Sequence, residues 1–185
     1  MVETWVRIER RLAQLGCLEA MALRPGADAQ DIERLETHLG VKLPDTLKQS
    51  LAIHDGQDGF GLAYGTELLS VAGIRQQWDN WRALDEDAMN ADSADMMGSA
   101  PSGFIKPLYS NRSWIPLTHD AGGNHIGLDF DPDTLGQRSQ VIAFGRDEDV
   151  KRLLANSFDT FLESCAAWLE GATWNGKHFE TADGI

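Results

Sequence analysis

The chain has 185 residues, 42% of them hydrophobic, with six tryptophans and a formal net charge of −13. That length and apolar content support a packed core and exclude a wholly disordered chain, while the absence of any apolar run of about 18 residues excludes a membrane-spanning helix of the usual kind. So acidic a surface repels nucleic-acid phosphate and anionic lipid and speeds encounter with basic partners. The charge is uneven: residues 1–84 carry nine basic against twelve acidic side chains, residues 85–185 seven against seventeen. The opening MVETWVRIERR has no apolar stretch of signal-peptide type, so a cytoplasmic protein is expected. Cys17 and Cys165 lie far apart, each within a helical pattern, and read as buried free thiols.

In chain order, Trp5, Ile8, Leu12 and Leu15 recur at three- and four-residue steps and predict a first helix stopped by Gly16. A second is capped by Asp28, buries Ile32, Leu35 and Leu39, and ends at Gly40. In VKLPDTLKQSLAIHDG, Pro44 suits a first helical turn, Leu47 and Leu51 form the buried stripe, and Asp55-Gly56 supplies turn chemistry. Residues 56–65 read as a glycine-rich loop with a short strand through Phe60 and Leu62, continued by Leu68-Leu69. From Ser70 a helix sets Trp78 and Trp81 on one face with Ile74. The acidic DEDAMNADSADMMGSAPSG, residues 85–103, reads as a long mobile loop. Three strands follow, Ser113 to Thr118, His125 to Phe130 and Gln140 to Phe144, separated as in an antiparallel meander. Alternation sends about half of Trp114, Ile115, Leu117, Ile126, Leu128, Phe130, Val141, Ile142 and Phe144 inward. A last helix begins at Asn156-Ser157, aligns Phe158, Leu162, Cys165 and Leu169, and ends at Gly171, leaving a short tail. Helices first, strands grouped later and a closing helix predict an α+β fold with a mainly antiparallel sheet, in a single domain over 1–185.

The stretch WIPLTHDAGGNHIGLDFDP, residues 114–132, concentrates the polar chemistry. A metal-dependent hydrolase would use His119, Asp120, His125 and Asp129, but histidines six apart across a Gly-Gly turn are not a zinc spacing. Asp129, Asp131 and Asp133 are spaced as in a calcium loop, yet the required glycine is missing and Gln140 stands where the bidentate glutamate belongs. Paired carboxylates could do acid/base work. Alternation instead puts His125, Gly127, Asp129 and Asp131 on one exposed strand face running into an Asp131-Pro132-Asp133 turn. His54-Asp55-Gly56 imitates half of a catalytic triad, but a histidine closing a helix beside a turn is the commoner case, and His38 is expected to face solvent. Neither a nucleophile motif nor a phosphate-binding loop occurs. No catalytic residue, metal or cofactor is expected.

The order of the pieces IERLETHLGVKLPDTLKQSLAIHDGQDG, LLSV with a tryptophan-bearing helix, WIPLTHDAGGNHIGLDFDP, GQRSQVIAFG and a final helix opened by NSF resembles the Smi/Knr cell-wall-assembly regulator family of the SUKH superfamily, over roughly residues 5–171. Motif positions matching the family are Leu43, Pro44, His54, Asp55, Gly56, Trp114, Pro116, Gly123, Asp129, Pro132, Gln140 and Val141, for which the resemblance implies structural roles. One departure is Ser139, where the family usually has glycine before Gln-Val-Ile. The resemblance implies a non-enzymatic protein-binding domain with no obligatory cofactor. Bacterial members are regarded as immunity proteins that neutralise a toxin domain, often a basic one, and fungal members as regulatory scaffolds of wall synthesis. In the immunity reading Asp120, Asn124, His125, Asp131 and Asp133 are the expected contact residues; in the scaffold reading the 85–103 segment is the handle.

Overall fold

In the computed structural model, which describes residues 1–59 and 61–181, the apolar side chains at three- and four-residue spacing become helices and the chain is α+β. The elements are α1 (Val2–Gln14), α2 (Leu18–Met21), α3 (Ala29–Leu39), α4 (Asp45–Ile53), β1 (Glu67–Leu68), α5 (Val71–Arg82), α6 (Glu86–Ser93), β2 (Gly98–Ala100), β3 (Trp114–Pro116), β4 (Thr118–His119), β5 (Asn124–Asp129), β6 (Gln140–Gly145), β7 (Val150–Ala155), α7 (Phe158–Gly171), β8 (Thr173–Trp174) and β9 (Phe179–Glu180). They fall into two compact units, one of residues 1–72 with 159–185, the other of residues 73–158.

In the first unit α1 buries Trp5, Ile8 and Leu12, as its periodicity predicts. Asp28 caps α3 by accepting from the Gln30 N–H, and Gly40 closes it at φ 70°. Pro44 is the N-cap of α4, one position before the first turn. The link from α3 to α4 hangs on Glu36, a buried carboxylate that accepts from the Leu43 N–H at 2.9 Å and from Lys42 at 2.6 Å. Burial raises the Glu36 pKa, but Lys42 and the Leu43 N–H outweigh it and hold the carboxyl below its ordinary value.

The His54–Gln57 segment gathers three loops. His54 reaches the Arg24 carbonyl and Glu9, Asp55 accepts from the Val71 N–H, and Gln57 accepts from the Leu62 and Leu68 N–H groups while donating to the Met21 carbonyl. Gly56, at φ 73°, lies so close to the 68–70 backbone that a Cβ would sit 2.5 Å from the Ser70 nitrogen. The strand expected through Phe60 lies at its centre outside the described residues, and Leu62 is in a turn. α7 is tied to α1 by Thr4 and Arg7 to Glu163, and by Arg11, whose guanidinium donates to the Leu169 carbonyl, which also accepts from the Ala172 N–H, and to the Ala172 carbonyl just past the helix end. The tail expected after residue 171 forms the β8–β9 hairpin.

The second unit is built on a five-stranded mixed sheet, order β2-β7-β6-β5-β3, antiparallel except for β2 beside β7. Residues 85–103, expected as a loop, contain α6 and the edge strand β2; Asp85 caps α6 by accepting from the Ala88 N–H. One sheet face carries Trp114, Ile142 and Phe144, packed with Ile105 and partly with Phe104, Leu108 and Leu153. Gly127 shares that face, where a Cβ would lie 2.2 Å from the Ile115 carbonyl oxygen.

Lys151 of β7 is fully buried on the same face. Its ammonium reaches the Glu148 carbonyl and Met97 Sδ and lies 5.9 Å from the Tyr109 ring centre. Burial pushes its pKa from 10.5 down to about 8, against the smaller opposing pull of Asp149 and Glu148. Between those two values the unfolded chain holds the proton that the folded chain has lost, so this group's contribution to stability rises with pH across that window, and its full cost is present below it. Lys151→Met is therefore expected to gain on the order of 1–3 kcal/mol at neutral pH, a gain that shrinks above pH ~8. Chemical denaturation of both proteins from pH 7 to 10 checks this, since their difference removes the contributions of other titrating groups.

Candidate functional site

The polar stretch 114–133 lies wholly in the second unit, and most of its polar side chains are bound to neighbouring backbone and side-chain groups. In the turn from β4 to β5, Asp120 accepts from the Gly122 N–H at 2.7 Å, the Asn124 N–H at 2.9 Å and the Asn124 side-chain amide at 2.8 Å. Partial burial raises the Asp120 pKa, but these donors more than offset it and hold the carboxyl below its ordinary value. Asn124 passes the connection on, accepting from the Asp147 N–H and donating to the Asp147 carboxylate. Ala121 at φ 63° and Gly123 at φ 98° make the left-handed turn that the Gly-Gly pair foretold.

His125 was expected on an exposed strand face and is buried instead, as are Gly127 and Asp129 beside it. The reason is coverage. Trp81 of α5 lies 6.2 Å from the His125 ring, Phe144 5.5 Å, and the Phe104–Leu108 segment closes the same face further along. His125 Nδ1 donates to the Thr118 carbonyl at 2.6 Å, and burial lowers its pKa, favouring the neutral ring. The His119 ring stacks on it at 5.9 Å. Among the described residues no three His, Cys, Asp or Glu side chains converge as metal ligands would.

The three aspartates in calcium-loop register have separate partners. Asp129 is fully buried, accepting from the Asp131 N–H and from Gln140 Nε2, each at 2.9 Å. Burial raises its pKa; the opposing pulls include the Trp114 indole, which meets no acceptor at hydrogen-bond geometry. Asp131 pairs with Lys106 at 2.6 Å and Asn111 at 3.0 Å, which hold its carboxyl below its ordinary value against the effect of burial. Among the described residues Asp133 accepts only from the Thr134 N–H beside it. Gln140 also donates to the Phe104 carbonyl and accepts from the Gln137 N–H, so it braces the turn from within. That turn puts Ser139 at φ 64°, the left-handed conformation that glycine adopts without penalty.

Of the expected contact residues, Asp120 is exposed, Asn124, Asp131 and Asp133 are half-buried, and His125 is inside. Of the motif positions, Leu43, Trp114, Pro116, Asp129, Gln140 and Val141 are buried. His54, Asp55 and Gly56 form the loop junction of the first unit, Pro44 caps α4, Gly123 sits in the bend before β5, and Pro132 lies in the connection from β5 to β6. Sequence reasoning missed Glu36, Gln57 and Lys151, because each looks like an ordinary surface side chain until its neighbours are known.

The model of the SMI1/KNR4 family (SUKH-1) matches residues 26–164, crossing both units. The chain is 34% identical, over 93% of its length, to "Cell wall biosynthesis/cell cycle regulator smi1" of Schizosaccharomyces pombe. It is 32% identical over 82% to "Glucan synthesis regulatory protein" of Neurospora crassa, and 33% identical over 78% to "Cell wall assembly regulator SMI1" of Saccharomyces cerevisiae. It spans 36%, 35% and 35% of those relatives, about a third of each. Their names describe regulators, not enzymes.

Two substitutions separate the structural roles. Ser139→Gly is expected to stabilise by about 0.5–1 kcal/mol by relieving the left-handed residue, whereas Asp120→Ala loses about 1–3 kcal/mol by stripping an acceptor from the turn. Thermal melts of both, with Asp133→Ala as a near-neutral reference, test the assignment.

Proposed function

The chain belongs to the SMI1/KNR4 family (SUKH-1), and from that premise we propose that it is a non-enzymatic, protein-binding regulatory domain, similar in role to fungal cell wall assembly regulators and acting in the cytoplasm. The observation that carries this reading is the 34% identity over 93% of the chain to a protein named as a wall biosynthesis and cell cycle regulator. The site chemistry is compatible with it: Asp120, His125, Asp129 and Asp131 each bind neighbouring groups of the fold, which leaves no free pair of carboxylates for acid/base work. No helix among the described residues is long and apolar enough to cross a membrane.

A second reading is immunity against a basic toxin domain. Its support is the net charge of −13, most of it from residues 85–185. An acidic inhibitor captures a cationic toxin quickly and covers its substrate cleft. Neither reading calls for nucleic acid, membrane or cofactor.

Affinity capture of the full chain from its native cell decides between them. Recovery of wall-synthesis or signalling proteins favours the regulator, stoichiometric recovery of one basic toxin-like chain favours immunity, and recovery of nothing but the bait argues against both. If Asp133 lies in the contact, Asp133→Lys slows partner association, on the order of tenfold or less, and flattens its salt dependence with the melting temperature nearly unchanged. Unaltered association kinetics would remove Asp133 from the surface.

A further inference from the structure

Within the first unit, the C-terminal half of α7 and the β8–β9 hairpin border a cavity of about 120 Å³. Its walls are aromatic. Tyr64 and Trp168 lie 5.3 Å apart between ring centres, Trp168 and Phe179 5.5 Å, and Trp174 and Phe179 4.9 Å, all tilted or edge-on. Gly61 and Gly65 complete the lining, and a Cβ on Gly65 would meet nothing within 4 Å, so the chain leaves open a volume that most residues would narrow. The walls are also fixed in advance. Tyr64 holds a left-handed φ of 52°, and its ring also lies 6.2 Å from that of Phe161. Asn175 locks the hairpin by accepting from the Lys177 and His178 N–H groups and donating to Glu180.

Lys177 brings a fixed cation to the lining in a chain of net charge −13. Lys177 and His178 stand there; His178 lies 3.5 Å from the Glu180 carboxylate, while Lys177 makes no ion pair among the described residues. A void of this size holds one benzene-sized ring. Aromatic walls would also attract a cation, but the Lys177 ammonium opposes one and favours an anion. A lone ring has too few atoms to bind tightly, so the ring must belong to a longer molecule that adds contacts outside the cavity.

We propose that this cavity receives an aromatic side chain from an extended segment of a partner protein, the ring packing against the wall formed by Trp168, Trp174 and Phe179 while an adjacent acidic residue pairs with Lys177. The proposal rests on the protein-binding reading above and specifies the partner's chemistry. The remaining field of the chain is acidic, so the attraction is local to Lys177 and short-ranged at physiological salt.

The test titrates a terminally blocked Gly-Gly-Phe-Asp-Gly peptide into the full chain, following the indole N–H resonances of Trp168 and Trp174. Two control peptides replace the Phe by Ala or the Asp by Lys. Saturable shifts are expected for the Phe-Asp peptide, with affinity lowered about tenfold or more by the Ala control and about threefold or more by the Lys control. Lys177→Glu, an exposed change that spares the fold, should weaken the Phe-Asp peptide and favour the Lys control. Trp174→Ala should abolish binding; if its melting temperature falls, Lys177→Glu carries the test alone. Absence of saturation at about 10 mM, or indifference to Lys177→Glu, overturns the proposal. Partner capture with the same variants separates the two readings. Capture by the wild type that survives both substitutions refutes the cavity and leaves protein binding standing. Peptide binding with the expected preferences, but no partner captured from the cell, upholds the cavity's ligand chemistry and counts against the protein-binding reading, and with it against a partner protein as the source of the ring.

Discussion

Backbone groups in the long connections of this chain have no ladder or helix to satisfy them, and an amide buried without an acceptor costs about as much as a lost hydrogen bond. The structure answers with acidic and amide side chains buried or half-buried beside those connections. Glu36 receives the Leu43 N–H, Asp55 that of Val71, Gln57 those of Leu62 and Leu68, and Asp129 that of Asp131. Each fixes where the next element starts: α4 after Glu36, α5 after Asp55, the turn into β6 after Asp129. Without these acceptors the helices and strands could still form, but the segments between them would lose their fixed course.

This accounts for what the sequence revealed and what it concealed. Helices α1, α3, α4 and α7 were legible because their apolar residues recur at helical spacing over two or more turns, and caps such as Asp28 and Gly40 act locally. β5 and β6 were legible from their apolar density and the intervening turns. β7 was not, since Lys151 and Arg152 interrupt its pattern and only pairing with β6 and β2 makes it a strand. α6 and β2 were hidden by an acidic composition that also describes solvent loops. The largest error concerned His125 and Asp129. Period-two alternation separates the two faces of a strand, but it cannot tell whether the second face meets solvent or, as here, Trp81 and the Phe104–Leu108 segment.

The same coverage changes the meaning of the polar stretch. A carboxylate holding several donors at hydrogen-bond distance is poorly placed to take a proton from a substrate or to coordinate an ion, because either act must first break those bonds. Asp120, Asp129 and Asp131 are in that position, whereas Asp133, among the described residues, is tied only to its neighbouring amide. Motif positions that looked chemical, such as His54 and Asp129, likewise have their polar atoms engaged within the fold.

The first unit is discontinuous in sequence, with residues 73–158 lying between its two segments. Thr4 meets Glu163 across 159 positions, and Arg11 meets the end of α7 across 158. On a ribosome emitting roughly 5–20 residues per second, α1 therefore emerges many seconds before the helix it clasps, while the intervening sheet can already fold. For that interval those side chains of α1 lack the partners they have in the finished fold. Vectorial synthesis thus completes the first unit only once α7 and the β8–β9 hairpin have emerged, and a chain halted after the sheet has left the ribosome but before α7 has would hold a folded sheet and an unfinished helical unit.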